Sequence, residues 1–457
     1  MFSLLRDRRI LILWIGESIN AFGNGLTFIA LAWFLYRLYP NSPALSGTVI
    51  GAWTAAMLLG TVSLASYTDV WDRRRILQVA NGLSAFWISL IPLLHTLDLL
   101  SFPVLVVIAA LTGFTGSVIF PAQQASLPTF VSPDRLQGIQ ALFNLTWTTS
   151  GLLAPISAGF LVAGIGAPGV MWVNAATFVV ALIAYSLVRF PAVTHAHDSG
   201  QGLAAWWART RFGFAFVLAR PALWATLLGL ASVNFAMEPY TAVFLPRIAD
   251  RLMVGVELPA ALSWVRADNR GALGVGLLGS VLALAELGMV IWMGRRISRH
   301  PLNWIALGCI GPALCIVGVA YAPSLGVALV LALLMGLCFG PLNVMVGTLF
   351  ARLTPDEVRG RVYSARILVG QGLRPVGVSL AVVLMGALGL APAVAVLGLF
   401  AALLTLVGYL RAHGMGKETT FRGPRRATES ARFRCSGVCR SRRPVLRDCF
   451  FLSVTLA

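Results

Sequence analysis

The sequence predicts an all-α membrane protein of twelve transmembrane helices, arranged as two six-helix, pseudo-symmetric halves. Three observations carry that expectation. Of 457 residues, 58% are hydrophobic and only 11% charged, whereas a soluble domain carries close to a quarter charged. Apolar runs of the length that a helix needs to cross the hydrocarbon, about 20 residues, recur twelve times between charged or Pro/Gly-rich breaks. Finally, a segment of the first half returns about 220 residues later in the second.

The runs fall, in order, near 10–37, 43–66, 76–97, 103–127, 138–164 and 168–190, then near 222–246, 271–294, 302–321, 325–351, 361–386 and 389–411. The expected organisation is therefore an N-terminal six-helix half (1–190), a cytoplasmic linker (191–221), a C-terminal six-helix half (222–412) and a basic tail (413–457). In the linker, Trp206, Trp207, Phe212, Phe214 and Phe216 interleave with Arg209, Arg211 and Arg220. That pattern suits a helix lying in the membrane interface, and equally a linker whose aromatics pack on the bundle. The tail has ten Lys/Arg against three Asp/Glu, so it either meets anionic lipid headgroups or stays disordered.

Arginine placement sets the topology. The loops after the second, fourth, sixth, eighth and tenth runs carry Arg73–Arg75, Arg135, Arg209 with Arg211, Arg295–Arg299, and Arg352 with Arg359 and Arg361, whereas the intervening short loops hold no Lys or Arg. The positive-inside rule puts the basic loops, and with them both termini, in the cytoplasm. The stretch 247–270 departs from the pattern, with Arg251 and Arg266 on the outer side.

Composition also excludes mechanisms. The only lysine, Lys417, lies in the tail, so no Walker A phosphate loop is encoded, and neither G-x-S-x-G nor H-E-x-x-H occurs. No enzymatic activity is expected. The excess of arginine belongs to membrane topology, not to a nucleic-acid surface. Cys309, Cys315 and Cys338 sit in apolar runs, and neither His195 with His197 nor Cys435 with Cys439 completes a ligand set. No metal and no cofactor are expected, and the protein is expected to be a monomer in the lipid bilayer.

The repeat points to transport. Residues 121–138, PAQQASLPTFVSPDRLQG, align with 341–360, PLNVMVGTLFARLTPDEVRG, and Pro155 and Pro375 keep the same offset. Parallel halves of this kind allow secondary transporters to alternate access around a site at the bilayer midplane.

The loop Ala65-Ser66-Tyr67-Thr68-Asp69-Val70-Trp71-Asp72-Arg73-Arg74-Arg75 resembles the signature of the major facilitator superfamily, G-x-L-A-D-R-x-G-R-R. Asp69 matches the family aspartate and Arg73 with Arg74 the closing basic pair, while Ala65, Val70 and Asp72 depart from it. The D-x-x-D-R-R-R form is similar to the drug and macrolide efflux permeases. The resemblance implies that Asp69, Asp72, Arg73 and Arg74 form a cytoplasmic latch between the halves; otherwise the arginines serve as topology determinants alone. Leu153-Ala154-Pro155-Ile156-Ser157-Ala158-Gly159 resembles the G-P-x-x-G-G antiporter motif at Pro155 and Gly159. In function, the resemblance implies an antiporter that exchanges a hydrophobic or amphipathic molecule for protons. An exporter or importer of one metabolite or siderophore, or a membrane scaffold that has kept the fold, stays open.

Ionisable groups inside spans are costly and mark candidate function. Glu17 and Glu286, with Arg374 as counter-charge, are the proton-coupling candidates; Glu238, beside Pro239, suits a permanent pairing with an arginine. Asn20 and Asn24 follow Glu17 on one face, and Gln140, Asn144, Trp147 and Gly151 share a face at helical spacing. These polar residues, with Gln371, either line the substrate cavity or seal helix contacts. The topology predicts that, with the native cysteines removed, Asn41→Cys reacts in intact cells with a membrane-impermeant maleimide, whereas Arg75→Cys reacts only after permeabilisation.

Overall fold

The structure is a computed structural model that describes residues 2–64, 72–132, 135–190, 203–257, 265, 269–294, 300–354 and 359–414. Its elements are helical. The first half holds α1 (Arg8–Leu38), α2 (Pro43–Leu64), α3 (Arg73–Thr96), α4 (Phe102–Gly116), α5 (Ile119–Ser126) and α6 (Leu136–Leu187). After α7 (Leu203–Leu218), the second half holds α8 (Pro221–Pro239), α9 (Leu245–Met253), α10 (Arg270–Gly294), α11 (Pro301–Ala320), α12 (Leu325–Leu353), α13 (Arg359–Gly372), α14 (Arg374–Leu388) and α15 (Leu390–Gly414).

Twelve crossings follow once four joints are read, one of them at Leu373, where α13 and α14 join in a single crossing. The 52-residue α6 breaks at Gly166, whose φ of 76° and ψ of 163° belong to neither helix; side chains rarely adopt that φ, so glycine makes a turn between two antiparallel spans. α4 and α5 follow one another across two turn residues as one crossing. The seventh crossing runs from Pro221 to Met253, because a π turn over Tyr240–Phe244 joins α8 to α9. Pro239 lacks a backbone donor, and the wider turn after it lets the helix continue. The sequence expectation ended this crossing near 246; Arg247 and Arg251 are instead helical. Glu238 thereby lies in the middle of the crossing, not near its end. α7 meets the seventh crossing at a bend of 112°, the geometry of a segment lying across the bundle's end.

Local signals explain where helices begin. Asp7 caps α1 by accepting from the Arg9 backbone N–H at 2.9 Å, and Asp72 caps α3 through the Arg74 N–H at 2.9 Å. The Arg9 side chain beside Asp7 holds its carboxyl below the ordinary carboxylate range, so this cap stands at neutral pH and is lost only as acid titrates Asp7 below that range.

The two halves meet closely at the end remote from Arg73–Arg75, here called the far end. Tyr36 Oη donates to Asp250 Oδ2 at 2.6 Å, Trp33 Nε1 to Asn269 Oδ1 at 3.2 Å, and Arg247 lies over the Tyr36 ring at 5.1 Å while donating to the Tyr39 carbonyl at 3.4 Å. Gly47 of α2 faces Val382 of α14. Gly159 of α6 and Gly276 of α10 pack backbone to backbone: a Cβ on either would lie 2.9 Å from the other's Cα, the close approach that small residues permit between helices in lipid. Arg251 Nη2 donates to the Ala320 carbonyl at 2.9 Å, capping α11. Arg247 and Arg251 are thus tied to helix ends, while Arg266 lies outside the described residues. Gly276→Val should overpack this contact and cost about 1–3 kcal/mol, read as a lowered unfolding midpoint in detergent, while Gly288→Ala, with open space around it, should leave the midpoint unchanged.

Candidate functional site

In the first half a buried polar cluster gathers from four helices. Glu17 of α1 is 1% exposed, and its Oε2 accepts from Tyr185 Oη of α6 at 2.9 Å. Gln123 of α5 lies beside both groups without an aligned hydrogen bond to either. One turn along α1, Asn20, also 1% exposed, donates through Nδ2 to Asn81 Oδ1 of α3 at 3.3 Å, and Asn81 Nδ2 returns to the Leu77 carbonyl at 2.7 Å. Glu17 Oε1 and Asn20 Oδ1 make no hydrogen bond. Both residues therefore look into the core of their own half. Of the two readings open for Asn20, the geometry matches the sealing of helix contacts and not the cavity lining: the α1 face bearing positions 16, 20 and 23 packs on α6 and α3. Asn24 is half-buried on a neighbouring face.

The basic loop bears directly on this cluster. Arg73 Nη1 donates to the Ala125 carbonyl at 2.7 Å, at the end of the helix that carries Gln123. Arg74 Nε donates to the Tyr185 carbonyl at 3.1 Å and its Nη2 to that of Ser186, while Gln78 binds the Ser186 hydroxyl at 3.0 Å. Both guanidinium groups satisfy carbonyls that helix C-termini leave open, where the helix dipole favours cations. These contacts stay within one half; Asp69 lies outside the described residues, and Asp72 caps α3 and faces Arg75 at 3.6 Å. A cavity of about 620 Å³ opens between α2, α3 and α4, with Asp72 and Arg75 among its lining and Leu64, Val79, Leu83 and Phe114 making it apolar.

The second half solves its buried charge differently. Arg374 Nη1 lies 3.4 Å from Glu238 Oε2, and its Nη2 donates to Asn234 Oδ1 at 3.0 Å. Its partners are thus Glu238 and Asn234, and not Glu17 or Glu286 as the sequence suggested, because the seventh crossing extends far enough to place Glu238 level with α14. Glu286 Oε1 accepts from Asn343 Nδ2 of α12 at 2.7 Å. On α6, the Trp147 ring meets Phe120 edge-on at 5.7 Å with its Nε1 unpartnered, and Gln140 is half-buried; Asn144 lies on the same stretch of helix. Gln371 is exposed beside the joint of α13 and α14. Among the described residues no group of three His, Cys, Asp or Glu side chains is placed to hold a metal ion.

Residues 13–378 match the family model of the Major Facilitator Superfamily. The chain belongs to that superfamily. It is 28% identical over 401 residues to the multidrug efflux pump Tap of Mycolicibacterium fortuitum, covering 85% of this chain and 92% of that protein. It is 26% identical over 385 residues to Tap of Mycobacterium tuberculosis, covering 81% and 85%. Among solved structures, a bacterial homologue of the human lysosomal transporter Spinster superposes with a TM-score of 0.69 at 16% identity, covering 91% of this chain and 98% of that one. A POT family transporter in complex with 5-aminolevulinic acid gives 0.68 at 12%, covering 90% and 97%. At such identities the structures speak for the fold alone.

In this facilitator the weak antiporter-like match, Pro155 and Gly159, falls on the seam between halves. A Cβ at Gly279 would lie 2.9 Å from the Pro155 Cβ, so the small residues of the motif set how closely α6 and α10 approach. Glu238 has the arginine partner that the sequence reading gave it, and that arginine is Arg374, which lies in a run otherwise free of acids. Removing one partner of a buried pair leaves an uncompensated charge, so Arg374→Leu should destabilise by roughly 3 kcal/mol. Most of that loss should return in the double variant Glu238→Gln/Arg374→Leu, measured by chemical denaturation in detergent.

Proposed function

We propose that this protein is a proton-coupled exporter of hydrophobic or amphipathic small molecules. It works by alternating access, with Glu17 as the group that takes up and releases the proton. The observation that carries the reading is the placement of Glu17: a carboxyl in the interior of a span, held by one tyrosine hydroxyl, with its second oxygen unpartnered. No cation is paired with it among the described contacts. An ionised carboxylate is expensive there and a protonated one is not, so uptake and loss of a proton change the energy of the half that contains it.

The likeness to proteins named multidrug efflux pumps supports the substrate class and the direction of transport. By the positive-inside rule the end bearing Arg73–Arg75 faces the cytoplasm of a bacterial inner membrane, with both termini inside. The halves in contact at the far end supply the outward-closed step of this cycle, in which substrate enters from the cytoplasm or its leaflet. Trp147, Gln140, Asn144, Asn24 and Gln371 are the polar and aromatic groups assigned to the substrate path, and Glu286 and the Arg374 cluster are its charged groups in the second half. Breaking the Tyr36–Asp250 and Trp33–Asn269 contacts opens the outer side, and bringing Asp69, Asp72, Arg73 and Arg74 toward the second half closes the inner one. The protein acts as a monomer.

The test is transport in proteoliposomes with ethidium, tetracycline and erythromycin. The wild type should accumulate at least one of them against its gradient when a pH difference is imposed. Glu17→Gln should abolish that gradient-driven accumulation while keeping substrate exchange at equal pH. Accumulation undiminished in Glu17→Gln contradicts the assignment.

A further inference from the structure

Among the described residues, seven of the eleven buried polar side-chain atoms without a hydrogen-bond partner form one group in the first half, on three neighbouring helices; the other four are Thr27 Oγ1, Trp147 Nε1, Thr354 Oγ1 and Arg374 Nε. Glu17 Oε1, Asn20 Oδ1, Ser84 Oγ, both amide atoms of Gln123, Arg73 Nε and Trp87 Nε1 are all buried and unpartnered, and all lie on α1, α3 or α5. Ordered by their distance from the basic end, they form a column. Arg73 and Gln123 stand at the mouth with Tyr185 opposite, Glu17 comes next, then Asn20 bonded to Asn81, then Ser84 and Trp87 one and two turns further along α3. Asn81 and Ser84 are fully buried and Gln123 is 2% exposed, so the column is walled off from the space between the halves. In hydrocarbon such groups lack solvent, so leaving them unpartnered is costly. Bound water with two to four polar partners is the occupant that satisfies donors and acceptors together.

We propose that the first half encloses a hydrated proton passage, running from the Arg73–Gln123–Tyr185 mouth to Glu17 and on to Asn20, Asn81 and Ser84, separate from the substrate path. The proposal rests on Glu17 as the proton-carrying group. A proton arrives as hydronium at the mouth and passes along bound water. It adds to Glu17 Oε1, forming an O–H that donates to the next water or to Asn20 Oδ1; release reverses these steps and returns water. The charged and titratable groups facing the column among the described residues are Glu17 of α1, Tyr185 of α6 and Arg73 and Arg74 of α3. Arg73 and Arg74 act as positioning residues, since their bonds to the Ala125 and Tyr185 carbonyls seat the two helices that carry Gln123 and Tyr185.

The experiment is pH-jump infrared difference spectroscopy on the purified protein in lipid nanodiscs, in ordinary and ¹⁸O-labelled water. The wild type should show a carboxyl band that Glu17→Gln removes, together with a water O–H band that moves in labelled water. Ser84→Ala, a mild change, and Asn81→Leu should keep the carboxyl band, lose at least half of the water band and slow proton uptake about tenfold. Ser379→Ala, on the exposed face of α14 and outside both the column and the substrate path, should do none of this. A Glu17-dependent carboxyl band without any label-sensitive water band overturns the passage, as does wild-type uptake in both Ser84→Ala and Asn81→Leu. Absence of a Glu17-dependent carboxyl band would instead overturn the function proposed above.

Discussion

The constraint on which this structure depends is that hydrocarbon cannot solvate a polar group. Helices satisfy their own backbones, and what remains must be met by side chains. The chain spends its arginines on that remainder. Arg73 and Arg74 close the carbonyl ends of α5 and α6, Arg251 closes α11, and Arg247 reaches the carbonyl of Tyr39, the residue that caps the end of α1. Each is a cation at a helix C-terminus, where the open carbonyls and the dipole both favour it. Topology and helix capping are one use of the same residues, which is why a chain with a net charge of +18 places so few of them inside its spans.

Against that background the two buried acids, Glu238 and Glu17, are treated in opposite ways. The second half neutralises Glu238 with Arg374 and gives the arginine a further acceptor in Asn234. Among the described residues, the first half gives Glu17 a hydroxyl and no cation, much as the half-buried Glu286 of the second half takes its bond from Asn343. A paired carboxylate is stable in one protonation state, whereas one held by neutral donors changes its energy with every proton gained or lost. The contacts of Arg74 with the Tyr185 carbonyl and of the Tyr185 hydroxyl with Glu17 join the basic loop to the carboxylate through a single residue. A rearrangement of that loop is therefore felt at Glu17 without any long chain of intermediates.

Much of the fold was legible in the sequence, because length, hydropathy and arginine placement are local signals. The spans begin and end within a few residues of the apolar runs, and the Pro/Gly content marked Gly166 as a break. The seventh crossing was misread for a physical reason: Pro239 and the arginines at 247 and 251 look like an exit from the membrane. A π turn absorbs the proline, and the arginines reach carbonyls of α1 and α11. Glu17 was visible as a buried acid, but Tyr185 and Gln123, its companions, lie 168 and 106 positions away. No local pattern links them. The same holds for Arg374 with Glu238, and for Asn20, whose amide turned out to serve Asn81.

The most direct measurement is the number of protons released when a transported compound binds to the purified protein in weakly buffered detergent solution. The account predicts that wild type releases close to one proton per substrate bound near neutral pH, and that Glu17→Gln binds the same compound and releases none. Equal release from both proteins, or binding by the wild type with no release at any pH between mildly acidic and mildly alkaline, would contradict it.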